Sequence, residues 1–565
     1  MIGADKTGTL TQNRMDVIEV MVDGRTSPFV GAPSTFPPEG AEGGDTTLAR
    51  VLLVGALATG AAARQNPDGT ETFVGDPTDT AMLEAAKDAG LLARVRALRV
   101  VARVPFDDRR RISATYEAAT APGTRCLAVK GAVEDVLTQS VDVRQGAESL
   151  TLDAVRRYEI VQAAETMAAR GLRVIAFAER SLGADSLGTA NDETGLTFLG
   201  MVGLEDPPRA HVTEAIAALR AAGVRVMMIT GDHPGTARAI AGRVGIDATR
   251  VVTGQELAAA DTTTLALLAR DASVFARVSP EQKLRLVEAL DASGHVVAVM
   301  GDGVNDAPAL RRASIGIAMG HRGTDAAREA ADLVLSDDNF ATVEIAVRSG
   351  RVLYENLRKA VRYYLAAKVG LIVSSLGAVL AGLALPFAPV QIIVLELFMD
   401  VGASTTFVAE PPEGDVMQRP PRHPRAPFLD RSLIVGILAG GVSLAAAVLI
   451  AYVVASRGSG TLSSGTPSVA RTAAFATWLL GHIVLAAHMR SEREPLARRG
   501  LRLTFPFAAW AVSAVTLAVV GPYVPFVAKR LGLMPLDART WLVVTAAALL
   551  LPSWWEAWKW LRWRR

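Results

Sequence analysis

The sequence predicts a parallel α/β unit followed by an all-α bundle of six transmembrane helices, on three observations. Residues 1–360 carry 39 Lys+Arg against 47 Asp+Glu, whereas residues 361–565 carry 20 against 10, so a net charge of +2 hides an acidic half and a basic half. The basic half contains six apolar stretches close to the ~20 residues that a membrane-spanning helix needs. In the acidic half, short apolar runs that read as strands end in aspartate-bearing loops and alternate with amphipathic helical segments. That is the pattern of a Rossmann-like parallel sheet with its site at the strands' carboxyl ends. The single cysteine, Cys126, excludes an intrachain disulfide framework and a multi-cysteine zinc site.

The acidic half opens on Asp5-Lys6-Thr7-Gly8-Thr9-Leu10-Thr11. An aspartate followed by small turn-forming residues sets its carboxylate beside backbone N–H groups that bind phosphate, and such a carboxylate suits nucleophilic attack on a phosphoryl group. Residues 31–44, rich in Pro and Gly, read as a surface loop without chemistry. The apolar run 224–229 ends in Thr230-Gly231-Asp232. Arg277-Val278-Ser279-Pro280-Glu281-Gln282-Lys283 then opens a helix with Leu284, Val287 and Leu290 on its apolar face. The run 296–300 ends in Gly301-Asp302-Gly303-Val304-Asn305-Asp306. Asp5, Thr230, Lys283, Asp302 and Asp306 are expected to converge, with the labour divided by charge. One carboxylate attacks, Asp302 holds Mg²⁺ through oxygen, Lys283 offsets charge on the transferred phosphoryl group, and Asn305 and Asp306 complete the metal's outer contacts.

The six expected spans are 364–385, 389–409, 433–455, 470–488, 505–526 and 540–558. Basic residues cluster at alternate connections: Arg358, Lys359 and Arg362 before the first span, Arg419, Arg422, Arg425 and Arg431 after the second, five arginines between Arg490 and Arg502, and Arg562, Arg564 and Arg565 at the end. This bias puts the soluble half and the C-terminus in the cytoplasm. Within the spans, Glu396 and Asp400 lie one helical turn apart on one face, with Lys368 in the preceding span. Ionisable groups at such depth are costly and face a polar path or one another. A cation path through this hairpin is the expectation, against a plain structural Lys–Glu pair with a snorkelling lysine.

Taken together, these strings carry a resemblance. Asp5-Lys6-Thr7-Gly8-Thr9, Asp206-Pro207-Pro208-Arg209, Thr230-Gly231-Asp232 and Gly301-Asp302-Gly303-Val304-Asn305-Asp306, in that order, make the chain similar to the P-type cation-transporting ATPases, a branch of the haloacid-dehalogenase-like superfamily. Six spans after these motifs resemble the calcium and sodium/potassium pump branch. The resemblance implies ATP-driven cation transport through an aspartyl-phosphate on Asp5, with ATP and Mg²⁺ as cofactors and the metal held by Asp5, Thr7 and Asp302. It assigns catalysis to Asp5, Lys6, Thr7, Thr230, Gly231, Asp232, Lys283, Asn305 and Asp306. It also implies an α/β phosphorylation domain in two segments, 1–11 and 200–345, an inserted α+β nucleotide-binding domain at 12–199, and a transmembrane domain at 346–565. Nucleotide contacts would come from Asp76, Thr78, Phe106, Lys130, Gly131 and Arg173, joined by Asp206, Arg209 and Arg277. In that set Phe106 stacks on adenine, Lys130 lines the pocket and Arg173 reaches the phosphates with its fork. Lys368, Glu396 and Asp400 would serve the transported ion. Lys368 and Leu371 stand where calcium pumps offer oxygen, and Ca²⁺ takes six to eight oxygen ligands, so a full calcium-type site is not expected.

The implied setting is an integral protein of the plasma membrane whose partners are the bilayer and the transported cation, with no nucleic acid. In related phosphatases an aspartate two positions after the nucleophile acts as general acid/base. Thr7 takes that position here, so an aspartyl-phosphate should hydrolyse slowly, which favours a pump over a membrane-tethered phosphatase. A non-catalytic ATP-binding remnant is the other alternative. Family members carry helices and an actuator domain with a Thr-Gly-Glu loop before the phosphorylated aspartate. The expectation is therefore the C-terminal part of a pump, arising from a truncated gene model, from a split gene with a separately encoded N-terminal half, or from a degraded copy.

Overall fold

The computed structural model describes residues 1–30, 46–65, 71–104, 112–117, 124–183, 193–408, 410–457, 468–491 and 504–563. The chain divides into two units, Met1–Glu344 and Ile345–Arg565.

The first unit holds a seven-stranded sheet in the order Val251–Thr253, Val274–Ala276, Val226–Ile229, Ile2–Ala4, Ala298–Gly301, Ile315–Met319, Leu333–Leu335, with every pairing parallel. The first strand of the chain thus lies at the centre, Gly3 opposite Met227 on one side and Val299 on the other. Strands 226–276 lie to one side and strands 298–335 to the other, so the chain reverses its direction of travel across Ile2–Ala4. Open α/β sheets bind ligands at the carboxyl ends beside such a reversal. Met227, Ile229, Phe275, Leu286, Val299 and Leu310 are buried where the helices cover the sheet. The covering helices start where the sequence offers caps. Asp261 accepts from the Thr264 N–H, and Ser279 with Gln282 forms a capping box ahead of Pro280.

A nine-stranded sheet lies within the same unit. Leu196–Glu205 is its hub, antiparallel to Arg173–Leu182 and to Asp16–Val22, and parallel to Ser140–Gln145 over its first residues. Helices Thr47–Leu57 and Pro77–Asp88 contribute to one apolar cluster of this sheet, and Val133–Gln139 and Ala154–Ala169 to another. Leu196–Glu205 runs through the boundary expected at 199. Its last residue, Glu205, pairs with Asp16, so the chain enters and leaves this sheet side by side.

The second unit is helical: Ala341–Leu380, Pro389–Val408, Arg431–Ser456, Val469–Met489, Phe505–Val519 extended by a turn to Tyr523, a short Pro525–Leu531, and Ala538–Trp563. Among the described residues, four segments are long and apolar enough to cross a membrane: Ala341–Leu380, Arg431–Ser456, Val469–Met489 and Phe505–Tyr523. The expected spans at 389–409 and 540–558 lie on helices Pro389–Val408 and Ala538–Trp563; the described apolar segment of the former is Pro389–Met399, and the latter turns to Pro552, Trp554 and Glu556 in its second half. Val469–Met489 is the most enclosed of the four, 78% buried against 33% for Phe505–Tyr523, which makes it the bundle's axis. Close packing between helices needs small residues; a Cβ on Gly441 of helix Arg431–Ser456 would stand 2.6 Å from the Ala366 carbonyl of helix Ala341–Leu380.

Candidate active site

At the carboxyl end of Ile2–Ala4 the backbone turns sharply. Asp5 accepts a 2.6 Å hydrogen bond from the Lys6 N–H, Thr7 stays extended, and Gly8 adopts φ +73°. A Cβ at Gly8 would lie 2.4 Å from Asp302 Oδ2, so both the backbone conformation and the close approach of the facing loop require glycine there. The Asp5 N–H donates to the Met300 carbonyl, which brings Asp302 in beside it.

Lys283 reaches this point from the first turn of helix Pro280–Ala292. Its buried ammonium lies 2.6 Å from Asp306 Oδ1 and 3.5 Å from Asp5 Oδ2. Burial alone would lower its pKa, but the two carboxylates more than offset this and hold it above the usual lysine value. Burial raises the Asp5 pKa; Lys283 counteracts that rise and Asp306 adds to it. Asp302 is pushed up to about 6, first by burial and then by Asp5 and Asp306. Three carboxylates around one ammonium leave a local excess of negative charge, an environment that favours a divalent cation. Among the described residues no three His, Cys, Asp or Glu side chains form a ready metal cage. Mg²⁺, which is commonly held by one or two carboxylates together with substrate phosphates, fits Asp5 and Asp302 with Thr7 beside them.

Two further loops close the site. Thr230 is buried, its hydroxyl accepts from the Asp232 N–H at 3.2 Å, and its carbonyl accepts from the Val278 N–H at 3.1 Å. Lys6 forms a 2.5 Å ion pair with Asp232. Arg277, at φ +55°, donates its N–H to the Asp232 carbonyl while its side chain is exposed. Asn305 is exposed beside buried Asp306. Asp206 accepts from the Thr11 hydroxyl at 2.6 Å, and Arg209 donates to the carbonyls of Gly8 at 2.7 Å and Thr11 at 3.0 Å. The structure therefore brings Asp206 and Arg209 onto the Asp5 turn itself, where they hold its backbone.

Nucleotide-side residues divide differently. Asp76 caps helix Pro77–Asp88 and accepts from the Thr78 N–H. Partial burial works against its charge, but the Thr78 hydrogen bonds, with Arg173 and Lys130 nearby, hold its pKa below the usual range. Lys130 is buried in an ion pair with Asp79, whose other oxygen accepts from the Gly60 N–H at 2.6 Å. Gly131 ends the Lys130 strand. Exposed Arg173 shares a cleft of about 290 Å³ with Lys6, Asp206 and Asp232. Phe106 lies outside the described residues. In the second unit Lys368 pairs with Glu396 at 2.6 Å and sits 5.3 Å from the Tyr364 ring centre. Asp400 belongs to helix Pro389–Val408, and its side chain lies outside the described residues.

Three participants escaped sequence reasoning. Asp79 closes the string Gly75-Asp76-Pro77-Thr78-Asp79 but carries no signal that it would neutralise Lys130, 51 residues away. Arg322 donates to the Gln12 carbonyl, and Asp338 accepts from the His321 and Arg322 N–H groups. No local pattern marks a contact between residues 12 and 322.

Comparison with known proteins places similarity along most of the chain. Family models match at residues 47–211 ("P-type ATPase, cytoplasmic domain N"), 283–346 ("haloacid dehalogenase-like hydrolase") and 384–561 ("Cation transporting ATPase, C-terminus"). The chain is 35% identical over 558 residues to a calcium-transporting ATPase of Bacillus subtilis, covering 96% of this chain and 62% of that protein. It is 38% identical over 579 residues to a probable cation-transporting ATPase F of Mycobacterium bovis, covering 97% and 61%. It is 33% identical over 466 residues to the human calcium-transporting ATPase type 2C member 1, covering 80% and 49%. The chain thus spans about three-fifths of the length of the two bacterial relatives.

Proposed function

The chain belongs to the P-type cation-transporting ATPase family, and from that premise we propose that it drives a cation across a membrane through an aspartyl-phosphate formed on Asp5 from ATP. The observation that carries the reading is the Asp5 carboxylate at the end of the central strand, 3.5 Å from the buried Lys283 ammonium, with Asp302 beside it. In the reaction an Asp5 oxygen attacks the γ-phosphorus. The new O–P bond forms as the bond to the β–γ bridging oxygen breaks, and ADP leaves with that electron pair. Lys283 offsets charge on the transferred oxygens, which is the main task in phosphoryl transfer. Lys6, paired with Asp232, and Arg173 supply further positive charge along their shared cleft. Asp5, Thr7 and Asp302 hold Mg²⁺, whose charge offsets that of the phosphates when it is bound. Asp206 and Arg209 fix the turn, and Asp206 also lines the cleft that holds Arg173. Phe106 completes the adenine site.

Thr7 supports a persistent phosphoenzyme, because its hydroxyl is a poor base for activating water at neutral pH. In the membrane unit the reading is six spans with the soluble unit and the C-terminus in the cytoplasm. Glu396 and Asp400 mark the cation path, and Lys368 is a built-in counter-cation. Lys368 itself offers no oxygen and occupies Glu396, whereas Ca²⁺ takes six to eight oxygen ligands.

The test is incorporation of acid-stable phosphate from labelled ATP into the full chain. Label that requires Mg²⁺ and disappears in Asp5→Asn supports the reading. Label retained by Asp5→Asn sinks it, and rapid spontaneous release would favour the phosphatase alternative.

A further inference from the structure

We infer that the helical unit binds the phosphate headgroup of an anionic lipid in a cavity between helix Ala341–Leu380 and the loop that precedes helix Arg431–Ser456. The cavity is about 670 Å³, and four arginines line it, Arg351, Arg358, Arg419 and Arg422, against two carboxylates, Glu355 and Asp430. Arg358 and Arg419 are engaged by carboxylates, so Arg422, which carries no ion pair among the described residues, is the cation left to meet an anionic ligand.

The arginines are held in place rather than freely waving. Arg351 donates to the carbonyls of Val416 at 2.9 Å and Arg419 at 2.8 Å, fastening the loop to the helix. Arg358 is buried, pairs with Asp430 at 2.9 Å and donates to the Phe428 carbonyl. Arg419 is shared among Glu355, Asp415 and Glu413. Arg422 differs. It lies 5.2 Å from the Tyr354 ring centre and donates to the carbonyls of Ala426 and Pro427; among the described residues it forms no ion pair. A planar guanidinium set on an aromatic face, without a salt bridge among the described residues, is suited to bidentate phosphate recognition.

Position favours a lipid over a soluble phosphate. Asp430, at one edge of the cavity, caps the apolar helix Arg431–Ser456, and Ile434, Val435 and Leu438 are exposed within its first two turns. A headgroup among the arginines leaves its acyl chains beside an apolar surface, at the level where that helix enters the bilayer. Basic pockets of this kind next to transmembrane helices recognise anionic headgroups.

The experiment titrates the detergent-solubilised full chain with dioleoyl phosphatidylglycerol, dioleoyl phosphatidylcholine and glycerol phosphate, and reads bound ligand by native mass spectrometry. It is independent of ATP hydrolysis, so its outcome and that of the phosphorylation test are separate. Phosphatidylglycerol should bind in preference to phosphatidylcholine. Arg422→Gln should weaken it about fivefold, the worth of one arginine near an anionic surface, whereas Arg422→Lys should lose less. Arg425→Gln, an exposed arginine in the same loop but outside the cavity lining, should change nothing, and thermal unfolding should show all variants folded. Equal binding of the two lipids, an unchanged Arg422→Gln, or an equal loss in Arg425→Gln would overturn the site. Glycerol phosphate binding as tightly as the lipid would overturn the lipid as its source.

Discussion

Replacing Lys283 by methionine tests the centre of the proposed site, since it keeps the length of the side chain and removes its charge. Lys283 sits 2.6 Å from Asp306 and 3.5 Å from Asp5. At an effective dielectric constant near 20 those attractions are ~6 and ~5 kcal/mol gross. Most of this offsets the cost of burying the ammonium, and removing one partner of such a buried pair typically costs ~3–5 kcal/mol. Asp306 takes the larger share, so Lys283→Met should lower the melting temperature of the soluble unit. Asp5 loses the group that most strongly favours its ionised form, and its already raised pKa rises further. A protonated carboxylate does not attack phosphorus. Phosphoenzyme formation should therefore fall by roughly two orders of magnitude, the usual loss when a group stabilising transition-state charge is deleted. The residue of activity should climb as pH rises, and Lys283→Arg should recover part of it. The assay is the initial rate of acid-stable labelling at several pH values, alongside a thermal melt. A Lys283→Met chain that labels at the original rate with the original pH profile would refute the electrostatic account, even if it melted earlier.

Four other outcomes follow from the geometry. Folded Asp302 keeps its proton up to about pH 6, whereas an unfolded aspartate releases it near ~3.9. The folded state thus holds more protons across that window, and its stability declines as pH rises through it. Asp302→Asn should raise the melting temperature at pH 7.5 and give no gain at pH 3.5, while abolishing the stabilisation by added Mg²⁺; equal Mg²⁺ protection of both chains would remove Asp302 from the metal site. Gly8→Ala combines a left-handed backbone with a Cβ 2.4 Å from Asp302 Oδ2, and should cost at least ~1 kcal/mol together with nearly all phosphorylation, measured by melting and labelling. Lys130→Met should destabilise the chain by ~3–5 kcal/mol through the orphaned Asp79, with Lys130→Met/Asp79→Asn recovering stability; loss of ATP affinity in calorimetry without any loss of stability would restore Lys130 to a purely nucleotide role. Lys368→Met frees Glu396 and should let divalent cations protect the full chain from thermal unfolding at lower concentration. Unchanged protection would count against an internal counter-cation.

The sequence by itself determined the elements whose signal is local. Asp5, Thr230 and Asp302 follow apolar strand runs, and the structure shows each at the carboxyl end of a neighbouring parallel strand. Charge partition and apolar length located the helical unit, in which four segments are long and apolar enough to cross a membrane among the described residues. Chain order also separates the two crossings at residues 11–16 and 205–212 by almost 200 positions, and only folding sets them side by side.

Tertiary structure decided the partners. Lys130 and Lys283 are both buried lysines in the first unit, yet the first is spent on Asp79 and the second faces the Asp5 carboxylate. Arg209 and Arg322 brace the Asp5 turn through backbone carbonyls, and any residue has a carbonyl to offer. A side chain's type and its neighbours in sequence fix what it is able to bind. Which charge lies within 3 Å of it depends on how segments hundreds of residues apart are packed, because electrostatic pairing reads distance in space and not in sequence.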